Sequence, residues 1–189
     1  MNTRRITAVL SMLAGLALSI PASAELNAYM SIKGQKQGDI KGSVTQKGRE
    51  GKIMVIATDH QIVSPRDIAS GLPTGKRQHK PLIITKEIDR STPLLYNALV
   101  NNENLPMVQI QYWAPQIKAA SGVGSEVQYY TVTLTNANIA SIRQAMPNNH
   151  DPALSNRSAY EEVSLTYQKI QWTWNDGGIS AQDDWEAKF

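Results

Sequence analysis

Val163-Ser164-Leu165-Thr166-Tyr167-Gln168-Lys169-Ile170-Gln171-Trp172-Thr173-Trp174 decides the fold class. Val163, Leu165 and Tyr167 share one parity of this run, and Ile170, Trp172 and Trp174 share the other. Alternation with a period of two marks a half-buried strand. The change of parity near Gln168-Lys169 predicts a strand that carries a bulge, or one whose second half is covered by a different layer. Working outward, Val108, Ile110 and Tyr112 alternate with Gln109, Gln111 and Trp113, and Tyr130, Val132 and Leu134 alternate with Tyr129, Thr131 and Thr133. Ala28, Met30 and Ile32 repeat the pattern near the start, as do Leu82, Ile84 and Ile88, with Lys86 interrupting on the same face. The unbroken run Ile53-Met54-Val55-Ile56 predicts a strand covered on both sides, with Ile62 and Val63 extending it past Asp59-His60. Ile139 and Ile142 fit a further strand or a short turn, and Pro147 to Asn156 reads as a polar loop.

Only one helix is expected. Ser91-Thr92-Pro93 supplies a cap and a first-turn proline, Leu94, Leu95, Ala98 and Leu99 supply helical spacing, and Asn101, Asn102 and Asn104 end it. Many short strands, glycine-rich turns and a single helix make the chain mainly β, an antiparallel barrel or sandwich.

The first 24 residues read as a secretory signal peptide: Arg4 and Arg5, an uncharged apolar run from Ile6 to Ile20, Pro21, and then Ala22-Ser23-Ala24. The run is shorter than the roughly 20 residues a membrane-crossing helix needs. Cleavage after Ala24 leaves one domain from Glu25 to Phe189, with no further apolar run of spanning length. Removing Arg4 and Arg5 from the 19 Lys and Arg leaves 17 against 16 Asp and Glu, a net of +1, which argues against a nucleic-acid partner. The chain has no cysteine, which excludes disulfides, thiolate metal sites and a thiol nucleophile.

Ser64 to Lys80 (SPRDIASGLPTGKRQHK) is the longest polar stretch and reads as an exposed loop. A connection of this length in a compact domain is often functional. Its Gly71-Leu72-Pro73-Thr74-Gly75-Lys76 falls one residue short of a phosphate loop, is followed by Arg77 in place of Ser or Thr, and leads towards a strand. His60, His79 and His150 lack metal-ligand spacing and read as polar loop or strand-end residues. Glu161-Glu162 and Asp183-Asp184 point to opposite faces as strand neighbours, so solvated charge is the expectation for them. Trp113, Trp172, Trp174 and Tyr129 are candidates for stacking on bases or sugars, and Arg49, Lys52, Arg66, Lys76, Arg77 and Lys80 for phosphate contact. An ordinary β-domain core and rim accounts for them better. No cofactor motif emerges, and no catalytic constellation.

Four segments carry a resemblance to a known family: Tyr29-Met30-Ser31-Ile32-Lys33-Gly34, the loop from Ser70 to Pro81, the helix Thr92-Pro93-Leu94-Leu95-Tyr96-Asn97-Ala98-Leu99, and Glu162 to Ile170. Together with Asp183-Asp184-Trp185 they resemble Hcp, the tube protein of bacterial type VI secretion systems, in the right order over nearly all of residues 25–189. The resemblance implies an antiparallel β-barrel of two sheets with one flanking α-helix. It also implies six copies in a ring, rings stacked into a hollow tube driven by a sheath, effectors in the lumen and a VgrG-like tip protein at the end. It implies no enzyme activity and no cofactor. The loop from Ser64 to Lys80 resembles the family's extended loop, which makes Arg66, Lys76, Arg77 and His79 the expected contacts between subunits or rings. The leader departs from the family pattern and predicts export to the periplasm or beyond. It leaves, as the alternative, an exported Hcp-like orphan that binds a small ligand or a partner protein.

Overall fold

Two long strands, 21 and 15 residues, run side by side through the centre of the molecule, and the remaining strands are arranged about them. A computed structural model describes residues 27–116 and 125–187. The expected leader, residues 1–24, lies outside the described residues. In chain order the strands are β1 (Asn27–Gly34), β2 (Gly38–Ile40), β3 (Ile53–Val55), β4 (Ala57–Asp59), β5 (Ile62–Val63), β6 (Gln78–His79) and β7 (Leu82–Glu87). The helix α1 (Thr92–Val100) follows, then β8 (Leu105–Gln116), β9 (Ser125–Ala145), β10 (Tyr160–Trp174) and β11 (Ile179–Asp184). Every pairing is antiparallel, and the main sheet runs β2-β1-β8-β9-β10-β7-β4.

The sheet closes on itself through one bent segment. β3 pairs with β1, β4 pairs with β7, and Ile56 at the bend donates its N–H to Thr85 O at 2.8 Å. Closure removes two of the free edges an open sheet would leave. It also corrects the expectation for residues 53–56: Ile53 and Val55 are buried, whereas Met54 and Ile56 are exposed, so the run is covered on one side only. Tyr29, on the opposite parity from Ala28 and Met30, is also fully buried.

The parity change in β10 belongs to a seam that crosses three strands. Buried positions in β10 switch from Val163, Leu165 and Tyr167 to Ile170; in β9 they switch from Val132 and Leu134 to Ala137 and Ile139; in β8 they switch from Leu105 to Val108 and Ile110. The switches fall in register. Leu105 opposes Ala137 and Met107 opposes Thr135, while Tyr167 opposes Ala137 and Lys169 opposes Thr135, which leaves Pro106, Asn136 and Gln168 on one line. Pro106 has no N–H to give the ladder, and Asn136 takes a left-handed φ of 49° that short polar side chains tolerate. The sheet folds over along this line, so the side chains on either side of it turn towards one core. The two sheets of the barrel are therefore continuous through their long strands. A bulge between Ser164 and Leu165, where Ser141 and then Ile139 are the partners, skips Ala140 and lets Ile142 pack against the core three residues after Ile139.

The helix lies against the barrel with Leu95 and Ala98 buried. Pro93 sits in its first turn, but Ser91 makes no side-chain cap. Asp89 instead fixes the entry to the helix, accepting from Ser91 N at 2.9 Å and Ser91 Oγ at 2.5 Å. Asn102, at φ 46°, turns the chain out of the helix.

Candidate functional site

The stretch between β5 and β6 is an ordered projection. Arg66 and Pro73 form a β-bridge, Thr74 N donates to Pro65 O at 3.0 Å, and Asp67 N donates to Leu72 O at 2.9 Å. At the tip Asp67 Oδ1 accepts from Ser70 N at 2.8 Å and Ser70 Oγ at 2.7 Å, hydrogen bonds that hold its carboxyl below the usual range. Gly71, at φ 71°, closes the turn, and Arg66 reaches across it to Gly71 O at 3.1 Å. This narrow hairpin presents Ile68 at 103% and Leu72 at 64% exposure, with Lys76 also exposed. Lys76 is followed by a strand, so the glycine-rich tip lacks the helix that backs a phosphate loop.

The four expected contact residues divide into two pairs. Arg66 and Lys76 stand on the projection, whereas Arg77 and His79 turn back to the barrel. Arg77 pairs with Asp183 through Nε and donates to Asp184 O at 2.7 Å. His79 Nε2 lies 2.8 Å from Asp183 Oδ2, and its Nδ1 lies 2.9 Å from Tyr167 OH. His60 Nε2 approaches the same phenol oxygen at 2.6 Å. Burial, and then the charge of Asp183, push the Tyr167 phenol up, so it keeps its proton. One expectation is thereby corrected, while His60 and His79 keep their expected places in a loop and at a strand end. Asp183 is clasped, not simply solvated, and two of the histidines, 19 residues apart, meet on one side chain because the hairpin returns its ends together. Their spacing carries no signal for this, since the shared partner Tyr167 lies in another strand.

Glu161 also departs from expectation. It is fully buried with Lys86, at 2.7 Å from Nζ, and both meet Thr92 Oγ1 at the start of the helix. Its neighbour Glu162 points to the other face and pairs with Arg143 at 3.1 Å. Among the described residues, no group of three or more His, Asp or Glu could hold a metal ion.

The aromatic candidates are structural in their surroundings. Arg49 lies over the rings of Trp113 (3.9 Å) and Tyr29 (4.8 Å) and pairs with Glu126 at 2.5 Å. Trp172 packs on the core, and Trp174 meets Tyr129 edge-on at 5.7 Å. The surface carries open grooves, such as one of about 870 Å³ whose lining includes Ile56, Glu87, Arg143, Met146 and Arg157.

The comparisons with known proteins agree with this geometry. The family described as "Type VI secretion system effector, Hcp" matches residues 29–174. The "Major exported protein" of Pseudomonas aeruginosa is 41% identical over 169 residues, covering 85% of this chain and 95% of that protein. A crystal structure of an Hcp protein superposes with a TM-score of 0.77 at 31% identity, covering 87% of this chain and all of that one. The Hcp1 protein of E. coli EAEC 042 gives 0.73 at 34% identity over 85% of this chain and 99% of its own. With the family model spanning most of its length, a relative at 41% identity and a shared fold, the chain belongs to the Hcp family of type VI secretion proteins.

Proposed function

We propose that this protein is a structural subunit: copies close head to tail into a six-membered ring, and rings stack into a hollow tube that carries effectors towards a VgrG-like tip. The observation that carries the reading is the hairpin tip. Ile68 stands fully in solvent and Leu72 largely so, on a segment whose backbone is already ordered by its own hydrogen bonds. A lone exposed Leu means little. Two bulky aliphatics held out on a preorganised projection lower the entropy cost of docking into a neighbour. The strand edges support ring closure in the same way, because β2 and β11 each have a single neighbour among the described strands. A heterologous ring needs two different patches per subunit, and the hairpin and a strand edge are such a pair. Arg66 and Lys76 would then flank the apolar tip as contact residues. Arg77 and His79 would act one step back, holding the projection at its angle.

We further propose that residues 1–24 export the chain before assembly; no helix among the described residues is long and apolar enough to cross a membrane. Intact mass of protein from the native host tests this, with a chain starting at Glu25 expected and a retained leader against it.

The assembly test is light scattering and electron microscopy of the chain from Glu25, beside the variant Ile68→Asp with Leu72→Asp. The parent should run at six times the subunit mass and form stacks at high concentration. The variant should keep its fold and lose the stacks. A parent that stays monomeric at high concentration, or a variant that stacks as well as the parent, would refute the reading.

A further inference from the structure

The base of the projecting hairpin is fastened by a chain of side chains whose hydrogen bonds admit one arrangement of protons at neutral pH. Burial works against ionisation of Asp183, but hydrogen bonds from Arg77 and His79 outweigh it and hold the carboxyl below its ordinary range. An ionised carboxylate only accepts. The Nε2 of His79, 2.8 Å away, therefore carries the ring's hydrogen, and in the neutral ring Nδ1 is bare. Tyr167 donates its O–H to that Nδ1 at 2.9 Å, and its oxygen accepts from His60 Nε2–H at 2.6 Å. Both histidine tautomers follow from one carboxylate.

A first added proton is tolerated. With His79 doubly protonated the chain reverses: Nδ1–H donates to the phenol oxygen, and the phenol O–H turns to a bare Nε2 on His60. A second proton has no such arrangement. Both rings then donate to one oxygen, the phenol hydrogen loses its acceptor, and two imidazolium ions converge on a single atom. The other charges at this place do not cancel that conflict. Asp59 favours a cation on His60, yet burial and the neighbouring His79 outweigh it and push that imidazole down. Lys80 lines the grooves on both sides, and Lys169 stands opposite Asp184 in the strand register. Asp184 and Glu186 lie at the end of β11, where Arg77 and His79 already use Asp183.

We propose that His60, Tyr167, His79 and Asp183 form an acid-released latch that holds the hairpin between Gln61 and Lys80 against the end of β11. The closed form resists the second proton and the open form does not. Its stability is full above about 6.5, the ordinary histidine value, and falls as the pH drops below it. The physiological meaning rests on the assembly reading above: acid would free the projection and loosen contacts between copies while leaving the barrel core, which contains no histidine among its buried residues, intact.

The test is hydrogen exchange of residues 61–80 between about pH 7.5 and pH 5, normalised for intrinsic exchange, on the chain from Glu25. The parent and His60→Gln are compared; the Gln amide can donate from near the place of Nε2 or, turned over, accept there with Oε1, so it suits both proton arrangements and does not titrate. In the parent, the opening constant of the hairpin should rise close to tenfold for each pH unit below about 6.5. In His60→Gln it should stay flat, and Tyr167→Phe, which keeps only the Arg77 and His79 bonds to the end of β11, should open more often than the parent already at the upper pH. A second reading, the imidazole carbon shift of His60, should titrate below the ordinary value with the same midpoint as the hairpin amides. Constant protection in the parent, an equal acid response in His60→Gln, a Tyr167→Phe hairpin as protected as the parent's, or separate midpoints would each overturn the latch. Exchange is read within one chain. Subunits that never stack would therefore defeat the assembly reading and leave the latch standing.

Discussion

Removing Glu161 strands a buried ammonium, and the cost can be worked from the pair's surroundings. Lys86 Nζ lies 2.7 Å from Glu161 Oε1, 3.0 Å from Asp89 Oδ1, 2.7 Å from Glu87 O and 3.2 Å from Thr92 Oγ1. Lys86 and Glu161 are both fully buried. At an effective dielectric of about 20 the attraction at this distance is roughly 6 kcal/mol, comparable to the desolvation penalty of several kcal/mol per ion. The intact pair therefore contributes little net stability, whereas breaking it costs about 3 to 5 kcal/mol. Asp89 remains beside Lys86 in Glu161→Ala and places the expected loss at the lower end, about 3 kcal/mol. Urea unfolding at fixed protein concentration should show that loss as a lower midpoint, with a melting shift of about 6 to 12 °C. The double variant Lys86→Met with Glu161→Leu removes both charges at similar volume and should come within about 1 kcal/mol of the parent. A single variant costing less than about 1 kcal/mol, or a double variant as unstable as the sum of its singles, would refute the account.

Arg49→Lys should cost about 2 kcal/mol and shift Trp113 emission to the red, because a lysine cannot lie flat over Trp113 while bonding Glu126; an unchanged spectrum and midpoint would show the stack to be idle. Gly42→Ala places a Cβ 2.4 Å from Lys52 O and 2.5 Å from Ile53 Cα, backbone that cannot step aside, and should lose about 2 kcal/mol or more. Gly75→Ala meets nothing within 4 Å and should be neutral; equal midpoints for the two in thermal melts would contradict the geometry. Glu103, 3% exposed, accepts from Lys36 N at 2.6 Å and Gln37 N at 2.8 Å. Burial opposes its charge, but these bonds win and hold its carboxyl low. Its contribution is thus present above about 4.5, the ordinary glutamate value, and is lost as the pH falls further. Glu103→Gln should flatten that part of the stability profile, and an unchanged acid slope would remove Glu103 as its source.

The legible part of the fold was the part written in local period. Alternation in β1, β8, β9 and β10 and the spacing of Leu95 and Ala98 follow from which side chains must leave water, a property each short segment declares by itself. Even the parity change at Gln168-Lys169 was visible, though not that Pro106 and Asn136 share its line, because a bend across neighbouring strands needs the register between them. The run Ile53 to Ile56 misled for a related reason: in a segment this short, four apolar letters look alike whether one face or both are covered.

The candidate site was half legible. The length and polarity of residues 64–80 announced a projecting loop, and the letters of four segments announced the family. Which cations face outward was not announced. Arg77 and His79 bond to Asp183, and His60 meets Tyr167 across 107 positions. Lys86 likewise finds Glu161 75 positions away. By itself the sequence determined the class, most of the longer strands, the helix and the exposed loop, since burial patterns and turn chemistry act over a few residues. Only the tertiary structure decided the seam, the latch and the buried ion pair, because charge pairing depends on distances that chain closure sets and no local pattern encodes.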